Sequence, residues 1–285
     1  MNDRRPSRGA FTLFELVVAE AVFLILLALI MQFVFGVMKA AQEQKKSMDA
    51  LGEGRQSLDR LTLDWMARVR RPDVSGTFTK KVGNDELGLL TQVSAYNGVR
   101  HLAWVSYQVG LVDQIVGGSQ KISSSALQRG ILGYNWSSSD AKPANNPLLA
   151  FPFTTGPTLA ASDYEPMANS VFRMEFCFLQ NVPTGSASTT AFNVSNPLNL
   201  NSSGLIGIVV AIAGLDQQSR QILTQTQISA LSDALPDVTD GQDPQSVWLK
   251  TLNDGTFAAA AEAKGVPKKA AGAVRVFQRI LYVRE

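Results

Sequence analysis

The sequence predicts an α+β protein. It has one long N-terminal helix, transmembrane in its first half, packed on an antiparallel β-sheet head with long loops and a small helical insertion. Three observations carry this reading. Residues 16–38 are apolar apart from Glu20 and Gln32. Leu58, Leu61, Trp65 and Val69 then recur at a helical spacing. Beyond Pro72, β-type runs alternate with stretches rich in Ser, Asn, Pro and Gly.

The apolar run is roughly 23 residues, or about 34 Å as a helix at 1.5 Å per residue. A bilayer core is about 30 Å thick, so the run is long enough to cross it. Arg4, Arg5 and Arg8 precede it and Lys39, Lys45 and Lys46 follow it, so charge counts alone do not orient it. The short leader holds no folded domain, which makes the large C-terminal part the candidate for export. An ordinary secretory signal has a shorter apolar region followed by a small-residue cleavage site. Here the small pair Gly9-Ala10 comes before the apolar region.

A polar, helix-compatible stretch follows, and Gly52 and Gly54 predict a break in it. The second helical pattern places Leu58, Leu61, Trp65 and Val69 on one face, Asp64 and Arg68 on another, and ends at Pro72. Strands are expected at 87–96 and 101–109, joined near Asn97-Gly98. In 171–179, alternation puts Phe172, Met174, Phe176 and Phe178 on one face and Arg173, Glu175 and Cys177 on the other. The unbroken apolar run 205–215 suits a central strand, and 274–283 a last one. Residues 137–157 and 181–203 read as loops, and 226–235 with 244–252 as the helical insertion. No internal repeat is visible.

Composition excludes several classes of function. Net charge is +2, with no concentrated basic face of the kind a nucleic-acid binder shows. One cysteine, Cys177, and one histidine, His101, leave no Cys/His zinc site and no intramolecular disulfide. His101 lies in a strand pattern, as a packed or surface residue, and Cys177 reads as a structural thiol between Phe176 and Phe178. Gly117-Gly118 and the 130–133 segment lack the Gly-Lys-Ser/Thr ending of a phosphate loop. Trp104 and Trp136 read as core. No cofactor is expected. Asp237, Asp240 and Asp243 around Gly241 are weak calcium candidates. Their spacing is not that of an EF-hand, and the prolines beside Asp237 and Asp243 suit turn and cap roles.

The run Phe11-Thr12-Leu13-Phe14-Glu15 after a basic leader and a glycine resembles the cleavage and methylation signal of type IV pilin-like proteins. That resemblance implies a pilin-type helix and divides the chain into a leader (1–10), a transmembrane and assembly helix (11–50), an amphipathic helix (51–72) and a β-rich periplasmic head (73–285). It implies cutting by prepilin peptidase between Ala10 and Phe11, which makes Phe11 the first mature residue and the site of N-methylation. Cutting after Gly9 would lose the register that makes Glu15 the fifth residue. It further implies that Glu15 neutralises the amine of Phe11 on a neighbouring subunit during assembly. A transmembrane carboxylate there is costly, of the order of 2.5–3.5 kcal/mol at mid-span and less near the ends. Glu20 lies about 7 Å deeper and roughly 140° around the helix. It is either protonated or paired with a basic group on a partner helix.

The segment 58–65 ending in Arg68, with Val105, Tyr107 and Val109 and then Leu127-Gln-Arg129, resembles the J-type minor pseudopilins of type II secretion. Residues 207–223 with Arg275-Val-Phe-Gln-Arg279 resemble the Verru_Chthon cassette protein C family, whose members are pilin-like. The implied partners are other pilin-like subunits, prepilin peptidase and the inner membrane, with no nucleic acid. The expected function is that of a minor pilin or pseudopilin and not an enzyme. A membrane-anchored binding or sensor protein that never polymerises is the alternative, and a membrane-tethered hydrolase is a third, lacking a visible nucleophile–base pair.

Overall fold

The structure, a computed structural model, describes residues 13–95, 101–116, 120–135, 147–184, 187–194 and 204–283. The chain divides into two compact units, Met1–Lys46 and Ser47–Glu285. Helix α1 is Leu13–Met66. The strands are all antiparallel and form two sheets. The first is a meander of β1 (Thr77–Thr79), β2 (Glu86–Thr91), β3 (Ala103–Val116), β4 (Gln120–Gly133) and β5 (Tyr164–Ala168). The second has the order β7-β6-β8-β9, with β6 Val171–Thr184, β7 Ala187–Asn193, β8 Leu205–Gly214 and β9 Arg275–Tyr282. Between β8 and β9 lie five helices: α2 (Gln217–Gln221), α3 (Gln225–Ala234), α4 (Pro244–Asn253), α5 (Thr256–Ala263) and α6 (Lys268–Ala271).

At the centre of the second sheet, β8 and residues 171–179 of β6 are buried on both faces. On one, Met174, Phe176, Phe178, Ile208, Val210 and Ile212 share a core with Leu87, Val105 and Tyr107 of the first sheet and Leu58, Leu61 and Trp65 of α1. On the other, Ala211 and Ala213 pack under Ile228, Leu231, Trp248 and Phe257 of the helical layer. Double-sided burial is why β8 reads as a continuous apolar run instead of an alternating one. Residues 53–66 of α1 are tied to both sheets by polar contacts as well. Ser170 N donates to Glu53 Oε2 at 2.9 Å, and Trp65 Nε1 donates to the Tyr282 carbonyl at 3.1 Å.

Several expectations need correction. The helix does not break at Gly52 or Gly54. A glycine costs a helix interior only about 0.5–1 kcal/mol relative to alanine, and the buried contacts around it outweigh that. A Cβ on Gly54 would lie 3.0 Å from the Phe277 ring, so this glycine permits close approach of α1 to β9. The helix ends at Met66 and not at Pro72. Arg68 pairs with Thr91, and Val69 N donates to the Leu90 carbonyl at 2.8 Å. Val69 therefore leaves the helical stripe and packs in a separate cluster with Leu90, Trp104 and Phe153.

Phe172 does not face the same way as Met174, Phe176 and Phe178. A register shift between Val171 and Arg173 turns Val171 toward the α1 core and Phe172 toward the helical layer. Within the loop expected at 181–203, residues 181–184 and 187–193 pair with one another as β6 and β7, and residues 185–186 and 195–203 fall outside the described residues. The strand expected at 87–96 stops at Thr91, and the one at 101–109 runs on to Val116 against β4. The Asn97-Gly98 turn and Trp136 fall outside the described residues, as do residues 137–146 of the loop expected at 137–157. The part of that loop that is described is pinned at Leu148 and Phe153 by isolated bridges. The helical insertion is longer than expected. Its caps follow local chemistry: Thr224 and Gln227 form a capping box on α3, and Asp243 caps α4 ahead of Pro244.

Candidate functional site

Leu13–Ala41 is the membrane-compatible segment. It is 29 residues long, or about 44 Å as a helix, and its apolar window is wholly unburied. Leu16, Phe23, Leu26, Leu29, Phe33 and Phe35 are exposed around its circumference. A helix that is apolar all round belongs inside a large core or a membrane. Glu15 sits in its first turn, where a carboxylate meets the positive end of the helix dipole. Glu20 is exposed one and a half turns further on. Gly9, Ala10 and Phe11 lie outside the described residues.

The three aspartates read as weak calcium candidates serve three different partners. Asp237 pairs with Arg173 and accepts from Gly83 N at 3.1 Å. Asp240 accepts from Val194 N at 2.8 Å. Asp243 accepts from Ser246 N at 3.0 Å and Gln278 Nε2 at 2.7 Å. Among the described residues no three His, Cys, Asp or Glu side chains gather in a way that could hold a metal ion. His101 is exposed, with Ser94 Oγ 2.5 Å from its Nδ1. Cys177 is buried, and burial pushes its thiol up to about 12.

Two charged networks within the head escaped the sequence reading. The first centres on Asp64, which is 1% exposed although it lies off the apolar stripe. It accepts from the Tyr107 hydroxyl at 2.5 Å and from Arg129 Nε at 2.7 Å, joining α1 to β3 and β4. Burial, then the Asp64 charge, raise the Tyr107 phenol well above its ordinary range. For Arg129 burial opposes the charge, but Asp64 outweighs it and the guanidinium is held above its usual value. Beside this network a groove of about 510 Å3 runs between Gln56, Asp59 and Leu63 on α1 and Glu165 and Met167 on β5. The available signal was a tyrosine and an arginine at strand positions opposite a helical aspartate, legible only once the pairing was known.

The second network lies where the β1–β2 connection meets β6 and the loop before α4. Lys80 bridges Asp85 (3.2 Å) and Glu175, while Arg173 donates to Glu175 (3.0 Å) and Asp237. Phe176 N donates to Asp85 at 2.8 Å, and Val238 N to Glu175 at 3.0 Å. Three carboxylates thus share two cations, with Asp85, Glu175 and Arg173 buried and Lys80 and Asp237 partly exposed. Burial, and then the Asp85 charge, lift the Glu175 carboxyl to about 7, and Asp85 is raised by burial too. Both networks join elements distant in sequence, so they act as structural ties.

Comparison with family models, with curated proteins and with solved structures gave no match.

Proposed function

We propose that this chain is a minor pilin-like subunit of the J-type pseudopilin kind. It is cut by prepilin peptidase between Ala10 and Phe11 and held in the inner membrane by the first part of α1. Its head stands in the periplasm or in an extracytoplasmic filament of type IV pilus or type II secretion type. In this reading it is a structural subunit and not an enzyme. The observation that carries the reading is the Phe11–Glu15 motif at the start of the apolar segment Leu13–Ala41, whose apolar window is wholly unburied. The motif supplies a reason for a carboxylate at the mouth of a membrane span, and the exposed helix supplies what a subunit needs both to stay in a bilayer and to pack with copies of itself. The β-rich head tied to residues 53–66 of α1 supports the same reading.

Mass spectrometry of the mature protein from a host carrying prepilin peptidase tests it. The expected N-terminus is a methylated Phe11. A mature start at Ala10, or an intact Met1 in a protein that stays a monomer, would sink the reading and leave the anchored sensor. Glu15→Ala is expected to reduce assembly or recruitment of other pilin-like subunits while membrane fractionation stays unchanged.

A further inference from the structure

Immediately after α1 the chain turns through Arg68, Arg70 and Arg71. Arg68 is only 5% exposed. Its Nη1 donates to the Trp65 carbonyl at 2.9 Å, and its Cζ lies 3.6 Å from the centre of the Trp65 ring. The other edge of the guanidinium, formed by Nε and Nη2, is buried and has no hydrogen-bond partner among the described residues. That edge is the side-on fork whose two parallel N–H groups match the two oxygens of a carboxylate. Arg71, three residues on, shows the use of the same edge: its Nε and Nη2 hold the two oxygens of Asp73 at 2.9 and 2.7 Å.

Arg68 also lines a pocket of about 340 Å3, bounded by Met66, Val69, Arg70, Arg71 and Gln92. Ligand sites begin at about 300 Å3, so this one is of a size for a small acid or the end of a side chain. Burial and neighbouring Arg70 lower the Arg68 pKa to about 10, and no carboxylate offsets them. The group therefore stays charged at neutral pH without a counter-ion among the described residues. A buried cation of this kind is costly until an anion with matching geometry joins it. At the end of α1 the Trp65 carbonyl is engaged by Arg68 Nη1 at 2.9 Å, and just past it the Ala67 carbonyl accepts from Gln92 N at 2.7 Å.

We propose that the pocket behind α1 is a carboxylate-binding site, with the Nε and Nη2 fork of Arg68 as its bidentate clamp. A carboxylate fits better than phosphate because the Arg68 fork offers two donors in one plane, and the guanidinium of neighbouring Arg71 is already held by Asp73. The ligand carboxylate comes either from a free small acid or from an Asp or Glu side chain of a docking protein. The fork is buried, so entry requires a rim side chain to rotate; Met66 and Gln92 are exposed, unbranched and suited to do so. The site is independent of the filament reading and stands or falls without it.

The test titrates the full-length protein in detergent with sodium acetate, and in parallel with sodium phosphate and sodium chloride at equal ionic strength. Tryptophan fluorescence and Tm are recorded, since Trp65 stacks on the clamp. A saturable acetate response, absent in chloride and weaker in phosphate, is expected. Arg68→Lys keeps the charge and loses the fork, so acetate affinity should fall at least about tenfold, in line with loss of a charged hydrogen bond. An acetate response equal to that of chloride, tighter binding of phosphate, or an unchanged Arg68→Lys titration would each overturn the proposal. The three salt arms on the wild-type protein decide the matter alone should the variant not fold. A short peptide with one internal Glu, against its Gln counterpart, then separates the sources. Tighter binding of the Glu peptide than of acetate assigns the site to a protein side chain, and weaker binding assigns it to a free acid.

Discussion

Residues 13–41 and 53–66 of α1 share a backbone conformation and live in opposite environments. The first stretch is exposed around its circumference and almost wholly apolar. The second buries Leu58, Leu61 and Trp65 in the head and turns Arg60 and Leu63 outward. The contrast shows that helix formation and helix partnership are separate problems. Backbone hydrogen bonding satisfies both stretches equally. The distribution of apolar side chains around the axis decides what each must pack against. The first is long and apolar enough to cross a membrane, whereas the second finds its partner in the sheets.

The largest expected effect tests that division directly. Trp65→Ala should lower head stability by about 3–5 kcal/mol, because it empties a packed site and removes the hydrogen bond to Tyr282. Leu26→Ala should leave head stability within about 0.5 kcal/mol, as an exposed position does. Denaturant titration in detergent, followed by head fluorescence, measures both; equal losses would break the comparison.

Next in size is the pH dependence of the head. The Glu175 carboxyl is raised from 4.5 to about 7 by burial. Its contribution to stability is therefore full below about pH 4.5 and is lost as pH rises through 7. A shift of that size corresponds to about 3 kcal/mol at most. Glu175→Gln removes the surplus buried charge, so it should flatten the fall between pH 4.5 and 7 and exceed the wild type above that window. Thermal melts across the range check it, and an unchanged slope would show that the network is fully ionised. The exposed apolar segment is expected to contribute nothing to this slope.

The smallest effect concerns the glycines. Gly52→Ala adds a methyl in open space and should stabilise the helix by up to about 1 kcal/mol. Gly54→Ala must displace the Phe277 ring and should fall below Gly52→Ala by about 1–2 kcal/mol. Melting curves of the two variants sharpen where the free helix ends and the packed one begins.

Much of the architecture was readable along the chain. The membrane-compatible helix followed from an apolar run, and β8 and β9 from short runs of the right length. The errors share a cause. Phe172 was assigned by strict alternation, which a single register shift overturns. Gly52 and Gly54 were read as breakers by composition, although Gly54 is small because Phe277 lies against it. The paired residues 181–184 and 187–193 carry polar side chains that resemble a loop until β6 and β7 pair with one another. At the candidate sites, Asp64 looked like a surface residue and the three loop aspartates like a set.

The sequence by itself determined where the apolar segment runs, that Leu58, Leu61 and Trp65 share a helical face and which β8 residues must be buried. These properties depend on side-chain pattern over a few neighbouring residues. Only the tertiary structure decided that Asp64 meets Tyr107 and Arg129, that Glu175 shares Lys80 with Asp85, and that Arg68 keeps one edge unmatched. Those outcomes depend on strand pairing and burial across tens of residues. Burial turns a charge that would be trivial in water into a group whose partner sets its energy.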